Sequence, residues 1–477
     1  MQLQNCENND GYMMLKKLTI GFSSHLRDPR FFGYVIVSLF AAIVFAANLL
    51  PFPAAPAGIS CVLLAILFAF FSKDCYGSIV RVRAVFCSTW ILAVGVSLFR
   101  IHPLQNRWCL VSTLCIAIVP ALFLIGSHFG ERLINVVHDK TRRFTSKGEQ
   151  RFCPLPGWVP AFLLGMIITI GLSLDYLYSG VLPIFSSDQS AYMTFGMPFV
   201  HYLTVLCALY PGYLFVQSRT GAVKNAPKFI KLILSFFVVV SLAIPVLIVS
   251  RQLLMMEFFV LAVAVIFSMS IDHRIKITWV LIAAMILVLI WCTLSLFRNQ
   301  SAAYLAQVFL LPHSDNKIQM SLWQLYLYIG FNFDNFDYLV RNYRDFTLGV
   351  SSLFPLFVLT GFGAYAKGVV GCIELPMKLP TYTTRSLIET PYMDAAVIGV
   401  IVYILILGLF AIVLERFALA NRCCCSSVIS YAVLLYGLLI SFFVDEFALP
   451  VFWVYLIILA LLQIITQFCQ DSKSVKE

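Results

Sequence analysis

The stretch YMDAAVIGVIVYILILGLFAIVL (392–414) decides the class of fold. From Asp394 it runs to Leu414 without another charged residue. A helix rises 1.5 Å per residue, so about 20 apolar residues cross the ~30 Å hydrocarbon core of a bilayer. The run is continuous, whereas the strands of an outer-membrane barrel alternate. Working outward, similar apolar runs lie at 32–51, 57–72, 84–100, 108–127, 158–178, 197–216, 229–250, 252–270, 277–297, 427–446 and 448–468. Together they predict an all-α polytopic integral membrane protein with about 12 transmembrane helices.

Composition agrees with that reading. Of 477 residues, 61% are hydrophobic and only 12% charged, and the mean hydropathy is +0.90. Soluble domains carry about 25% charged residues, so a soluble enzyme or a nucleic-acid-binding domain is excluded. The net charge of +10 fits the excess of Lys and Arg on cytoplasmic segments of membrane proteins, and no nucleic-acid partner is expected. The 14 cysteines show no CxxC or Cys/His spacing, so no metal site is expected from them, and no cofactor is expected. The polar start MQLQNCENNDGYMMLKK predicts no cleavable signal peptide.

Placing both termini in the cytoplasm puts 23 of the 33 Lys and Arg inside, as the positive-inside rule requires. The expected organisation is a tail at 1–31, nine helices within 32–297, one long external loop at 298–391, three helices within 392–468 and a tail at 469–477. That loop is far longer than an ordinary connection, and it is aromatic rather than disordered in composition. A helix is expected at about 320–345, with Asp337, Arg341 and Asp345 spaced for ion pairs. The run 349–363, broken by Pro355, reads as interfacial or re-entrant.

Charged residues in or beside spans are candidates for function. Here they gather at the outer ends: Asp175, Arg251, Glu257, Arg298, Asp394, Asp445 and Glu446. On these helix bounds the inner halves hold no buried charge. An ion-coupled transporter needs polar groups near the midplane. An outer site capped by a long loop suits an enzyme acting on a lipid-anchored substrate. Each group also has a plainer reading. Arg251 and Arg298 suit snorkelling to lipid phosphate as well as bidentate pyrophosphate binding. Glu257 suits an ion pair with a nearby Arg, Asp337 and Arg341 a helix pair, His313 a solvated loop position, and His201 a packed or hydrogen-bonded one. The loop aromatics, Tyr328 among them, suit either a membrane interface or the faces of sugars.

Four segments resemble a known family. YSGVLPIFSSDQSAYMTFGMP (178–198) carries a Gly-x-x-Pro-x-Phe pattern, and SRQLLMMEFFVLAV (250–263) a Ser-Arg at a helix start. YLYIGFNFDNFDYLV (326–340) is similar to a Tyr-x-Gly-x-x-x-Asp/Asn-x-x-Asp block, and TTRSLIETPYMDAAVIGVIVYILILGLF (383–410) to a block with Pro-x-x-Asp before a helix. In this order they resemble the bacterial oligosaccharide repeat-unit polymerases, the Wzy-type O-antigen polymerases. The resemblance implies a glycosyltransferase of the C superfamily type in the bacterial inner membrane, with the long loop in the periplasm. It would transfer glycan from undecaprenyl pyrophosphate to a lipid-linked repeat unit, without metal. A chain-length-regulating membrane protein and membrane lipids would be its other partners. By position, Arg251, Arg298 and Arg385 would hold the pyrophosphate, and Tyr328, Asp334, Asp337 and Tyr392 the sugars. Candidate proton acceptors on the outer face are Asp394, Glu389, Glu257, Asp334 and Asp337. Asp394 is favoured, because the partial positive charge of a first helical turn suits a carboxylate. A plain helix-capping role for Asp394 remains beside the catalytic one. An O-antigen ligase would need a histidine before the tenth helix, where Thr383, Thr384 and Arg385 stand. A flippase would need an inner-half charge or an internal repeat.

Overall fold

The computed structural model describes residues 29–141, 156–186, 191–269, 301–311, 316–371, 376–379, 384–422 and 424–470, with six scattered positions between 282 and 293. Every regular element among them is helical. The first five helices are α1 (Pro29–Leu49), α2 (Ala54–Tyr76), α3 (Val82–Ser97), α4 (Leu110–Thr141) and α5 (Val159–Ser179). Then come α6 (His201–Val205), α7 (Tyr210–Arg219), α8 (Lys228–Leu247) and α9 (Arg251–Ser268). The long loop contributes α10 (Ala302–Val308), α11 (Lys317–Gly330), α12 (Asn332–Asn342), α13 (Phe354–Leu359) and α14 (Gly363–Gly371). The chain closes with α15 (Glu389–Ala420), α16 (Cys425–Leu439) and α17 (Pro450–Gln470).

Seven of these helices are long and apolar enough to cross a membrane, while α3, α16 and the Pro450–Thr466 part of α17 are apolar but shorter. Eleven of the twelve apolar runs therefore fall on described helices. The run 277–297 lies outside the described residues, apart from the scattered positions. The run 197–216 is interrupted by a 3-10 turn at Leu206–Leu209. Pro211 has no N–H to return to the helix, and the chain tightens just before it.

Glycine brings α4 and α15 unusually close. A Cβ on Gly126 would lie 2.2 Å from the Leu405 carbonyl oxygen, and one on Gly408 would lie 2.5 Å from that of Phe123. Such small residues let backbones touch where lipid supplies no hydrophobic drive between helices.

Three readings need correction. The helix expected at 320–345 is two helices, α11 and α12. Asn332 Nδ2 donates to the Tyr328 carbonyl at 3.1 Å, taking an acceptor that a continuing helix would use. Asp345 lies beyond α12, so only the Asp337–Arg341 pair forms, at 2.7 Å. Second, buried charge does exist at the end of the bundle opposite the loop. Arg83 pairs with Glu131 at 2.8 Å, Arg416 also pairs with Glu131, and Glu415 accepts from the Val82 N–H and the Tyr431 hydroxyl. Hydropathy hid this cluster because α4 and α15 continue past 127 and 414 as polar-faced helix. Third, α16 ends at Leu439, so Asp445 and Glu446 sit in a loop and a 3-10 turn rather than closing a helix.

The segment 349–363 forms α13 and the start of α14, with Leu353, Leu356 and Phe362 exposed. Six residues cannot span a bilayer, so this apolar edge fits the interfacial reading. A second small core sits under the long loop, built from Leu305, Phe309, Met320, Leu327, Phe331 and Leu379.

Candidate functional site

The site is organised by a break in α15. Ala395 (φ −153°, ψ 37°) and Ala396 (φ 51°, ψ −138°) leave helical geometry, separating the turn Glu389–Asp394 from the long rod that follows. Gly399 permits the break, since a Cβ there would lie 2.0 Å from the Pro391 carbonyl oxygen.

Just above the break, Asp394 is fully engaged. Its Oδ1 accepts from Gly349 N and Ser351 N, both at 3.0 Å, and from the Thr347 hydroxyl; its Oδ2 accepts from Ser352 N at 2.8 Å. Leu348 and Gly349 have positive φ, which turns successive N–H groups onto one anion. Asp394 therefore fastens the 347–352 turn to α15 rather than capping its own helix.

Two cavities lie on either side of this fastening. One, of about 430 Å³, is the more polar of the two: Gln252, Thr384, Arg385, Thr390 and Asp445 line it beside apolar walls from Phe354, Val370, Val444 and Leu449. The other, of about 520 Å³, is an apolar groove along α15 lined by Ile398, Val402, Ile406, Phe410, Phe447 and Trp453, with Asp394 at its head. Adjacent residues line the two, Ser351 and Thr390 the first and Ser352 and Pro391 the second. The residues 398, 402, 406 and 410 share one helix face and cover ~18 Å of rise. Ile398 is 70% and Ile406 61% exposed, so the groove opens sideways.

Arg385 is the cation of the polar cavity. Among the described residues no hydrogen bond or ion pair engages its guanidinium. Burial lowers its pKa from the ordinary arginine value, against the pull of Glu389, Tyr343 and Asp445. The Asp445 backbone N–H donates to the Arg385 carbonyl at 3.0 Å. Asp445 Oδ1 accepts from the Tyr403 hydroxyl and from Ala448 N, each at 3.3 Å. Its Oδ2 is buried and makes no hydrogen bond of ordinary geometry among the described residues, although the Thr390 hydroxyl and the Phe447 N–H lie near the carboxylate. Burial pushes the Asp445 carboxyl up to about 7. It does the same to Glu446, whose carboxylate accepts from Gln252 Nε2.

The other candidates from sequence separate into groups. Glu389 joins the Arg385 cavity region, and its Oε1 accepts from Ser386 N at 3.0 Å and the Ser386 hydroxyl at 3.1 Å. Arg251 opens α9 behind the Ser250 cap, is buried, and donates to Gln324 Oε1 at 3.0 Å. Gln324 Nε2 in turn donates to the Tyr328 hydroxyl at 3.1 Å, and the Tyr328 ring lies 4.7 Å from Phe443. Thus Gln252, not Arg251, lines the cavity. Glu257 is fully buried, and among the described residues neither of its oxygens has a partner, so no arginine described there pairs with it. Asp334 and Asp337 pin the 101–109 loop instead of facing the cavity. Asp334 accepts from Gln105 Nε2 and Asn106 N, and Asp337 from Cys109 N. Burial still pushes the Asp334 carboxyl up to about 6. Tyr392 packs its ring against Phe336 at 5.4 Å. His201 is hydrogen-bonded as expected, to the buried Asp175 at 2.8 Å. Arg298, His313 and Thr383 lie outside the described residues.

Sequence reasoning counted Asp445 among the outer charges without giving it a role, and it passed over Gln252 and Thr390. The available signal was the pair Asp445–Glu446 at a helix junction on the loop side. No protein-family model, curated protein or solved structure matches the chain.

Proposed function

We propose that the chain is a glycosyltransferase of the oligosaccharide repeat-unit polymerase kind, moving glycan from a polyprenyl pyrophosphate donor to another lipid-linked repeat unit. One observation carries the reading: a polar cavity holding an otherwise unengaged arginine adjoins an apolar groove that opens sideways. That pairing fits a substrate with an anionic head and a long hydrocarbon tail. Arg385 neutralises the diphosphate, where a partly dry cavity strengthens the contact. Ile398, Val402, Ile406 and Phe410 receive the first isoprene units. The arrangement that goes with this function has about 12 spans, both termini cytoplasmic, and the loop 298–391 on the periplasmic side of a bacterial inner membrane.

Purified protein given a synthetic lipid-linked repeat unit should build a ladder of longer products. In cells, loss of the gene should leave a single repeat on the lipid core. A second reading, a polysaccharide flippase, draws support from the buried Arg83–Glu131 pair, which the half-exposed Arg416 joins, and from Glu257, charges a transporter would need. Flippase loss leaves no repeat on the core, which separates the two.

A further inference from the structure

Transfer to a sugar hydroxyl needs a place for its proton. The carboxylates near the polar cavity differ in what they have left to offer. Asp394 spends both oxygens on four donors. Glu389 is held by Ser386, and Glu446 by Gln252. Asp445 lines the cavity, and among the described residues its Oδ2 makes no hydrogen bond of ordinary geometry, with the Thr390 hydroxyl on the cavity wall near the carboxylate. A buried carboxylate oxygen lacking a donor is costly, and a hydroxyl entering the cavity would supply one.

We infer that Asp445 is the proton acceptor for the attacking sugar hydroxyl, with Arg385 on the leaving diphosphate in the same cavity. The inference rests on the polymerase reading and names the base within that site. The acceptor oxygen forms a bond to the donor's anomeric carbon. The bond from that carbon to the diphosphate oxygen breaks, and its electron pair leaves with the polyprenyl diphosphate. The hydroxyl proton passes to Asp445 Oδ2 and later to water.

The surroundings suit this work near neutral pH. Asp445 is 4% exposed, and burial places its carboxyl at about 7. The charged and titratable groups facing it are Arg385, Glu389, Glu446 and Tyr403. Tyr403 donates to Oδ1, which favours the ionised form; the acids oppose it, and the arginine supports it. A base must be ionised, so the rate should fall as pH drops below about 7.

Asp445→Asn is a clean test. Oδ1 holds the Ala448 N–H, and asparagine caps such a turn about as well as aspartate. The purified variant should elongate about 10²–10⁴-fold more slowly, while binding of polyprenyl diphosphate changes by less than a few-fold. Tyr403→Phe removes a donor to the ionised form, so the acidic limb of the wild-type pH profile should move to higher pH. Elongation by Asp445→Asn within tenfold of wild type overturns the inference and leaves the polymerase reading standing. An acidic limb unmoved in Tyr403→Phe overturns it too, and that result decides the matter if Asp445→Asn does not fold. If wild type builds no ladder from any lipid-linked unit, the polymerase reading fails and the inference falls with it.

Discussion

The backbone N–H of Asp445 donates to the carbonyl of Arg385 at 3.0 Å, so the segment entering α15 is stitched to the turn entering α17. This bond fixes a cation and a carboxylate at one cavity although they are far apart in the chain. It also makes their ionisation interdependent, because each lies in the other's field.

Arg385 should therefore affect both rate and pH dependence. Arg385→Ala is expected to lower elongation about 10²–10³-fold, as loss of one oxyanion-type donor does. Arg385→Lys should also be poor, since a point charge does not replace the bidentate fork. Removing the cation disfavours the ionised form of Asp445, so any residual activity should show its acidic limb at higher pH than wild type. A steady-state pH profile of the two variants checks this. A limb that stays in place would mean that the two groups do not communicate.

Asp394 gives a contrasting expectation. Asparagine offers one acceptor oxygen and a donor amide, whereas both carboxylate oxygens here accept hydrogen bonds. In either orientation Asp394→Asn turns an amide toward a donor. A buried unsatisfied group costs about 1–3 kcal/mol, so the variant should melt earlier in detergent. Activity per folded molecule should change little. An Asn variant that melts like wild type yet cannot elongate would give the carboxylate a chemical role and sink the structural one.

The apolar runs, the Ser250–Arg251 helix start and the Asp337–Arg341 pair depend on neighbours within a few residues, and they were legible. The Asp394 fastening, the Asp334 contact with Gln105 and Asn106, and the Arg385–Asp445 bond join distant segments, and no local pattern announces them. The break at Ala395–Ala396 sits in residues of good helix propensity, so nothing in composition flags it. Hydropathy also lost the α4 end, where GERLINVVHDK (130–140) turns polar while the helix continues.

The close approach of α4 and α15 makes a stability prediction independent of any function. A side chain at Gly408 must displace the Phe123 carbonyl or part the helices. Overpacking of this kind costs about 1–3 kcal/mol. Gly408→Val should lower the melting temperature and the yield of folded protein, with Gly126→Val behaving alike. Gly368, with nothing within 4 Å of a built Cβ, should tolerate alanine. Equal melting curves for Gly408→Val and wild type would show that the helices pack less tightly than their backbones indicate.

The apolar groove carries the last expectation, which concerns the tail of the substrate rather than its head. Val402 lies between Ile398 and Ile406 on the open face of α15 and is 48% exposed. A tryptophan there fills the groove without crowding a packed core, so folding should be preserved. The cavity holding Arg385 and Asp445 lies on the other side of the 349–352 strap and should be undisturbed. Each methylene buried in an apolar site contributes about 0.8 kcal/mol, so a tail displaced from two or three carbons loses roughly tenfold or more in binding. Val402→Trp should therefore raise KM for a long polyprenyl donor at least tenfold. It should leave turnover of a short-chain, water-soluble donor near the wild-type value. Ile406→Trp should act in the same way on a tail that reaches further down. The measurement is KM for paired donors that differ only in chain length. A shift of the same size for both donors would place the tail elsewhere and leave the groove an ordinary lipid-facing surface.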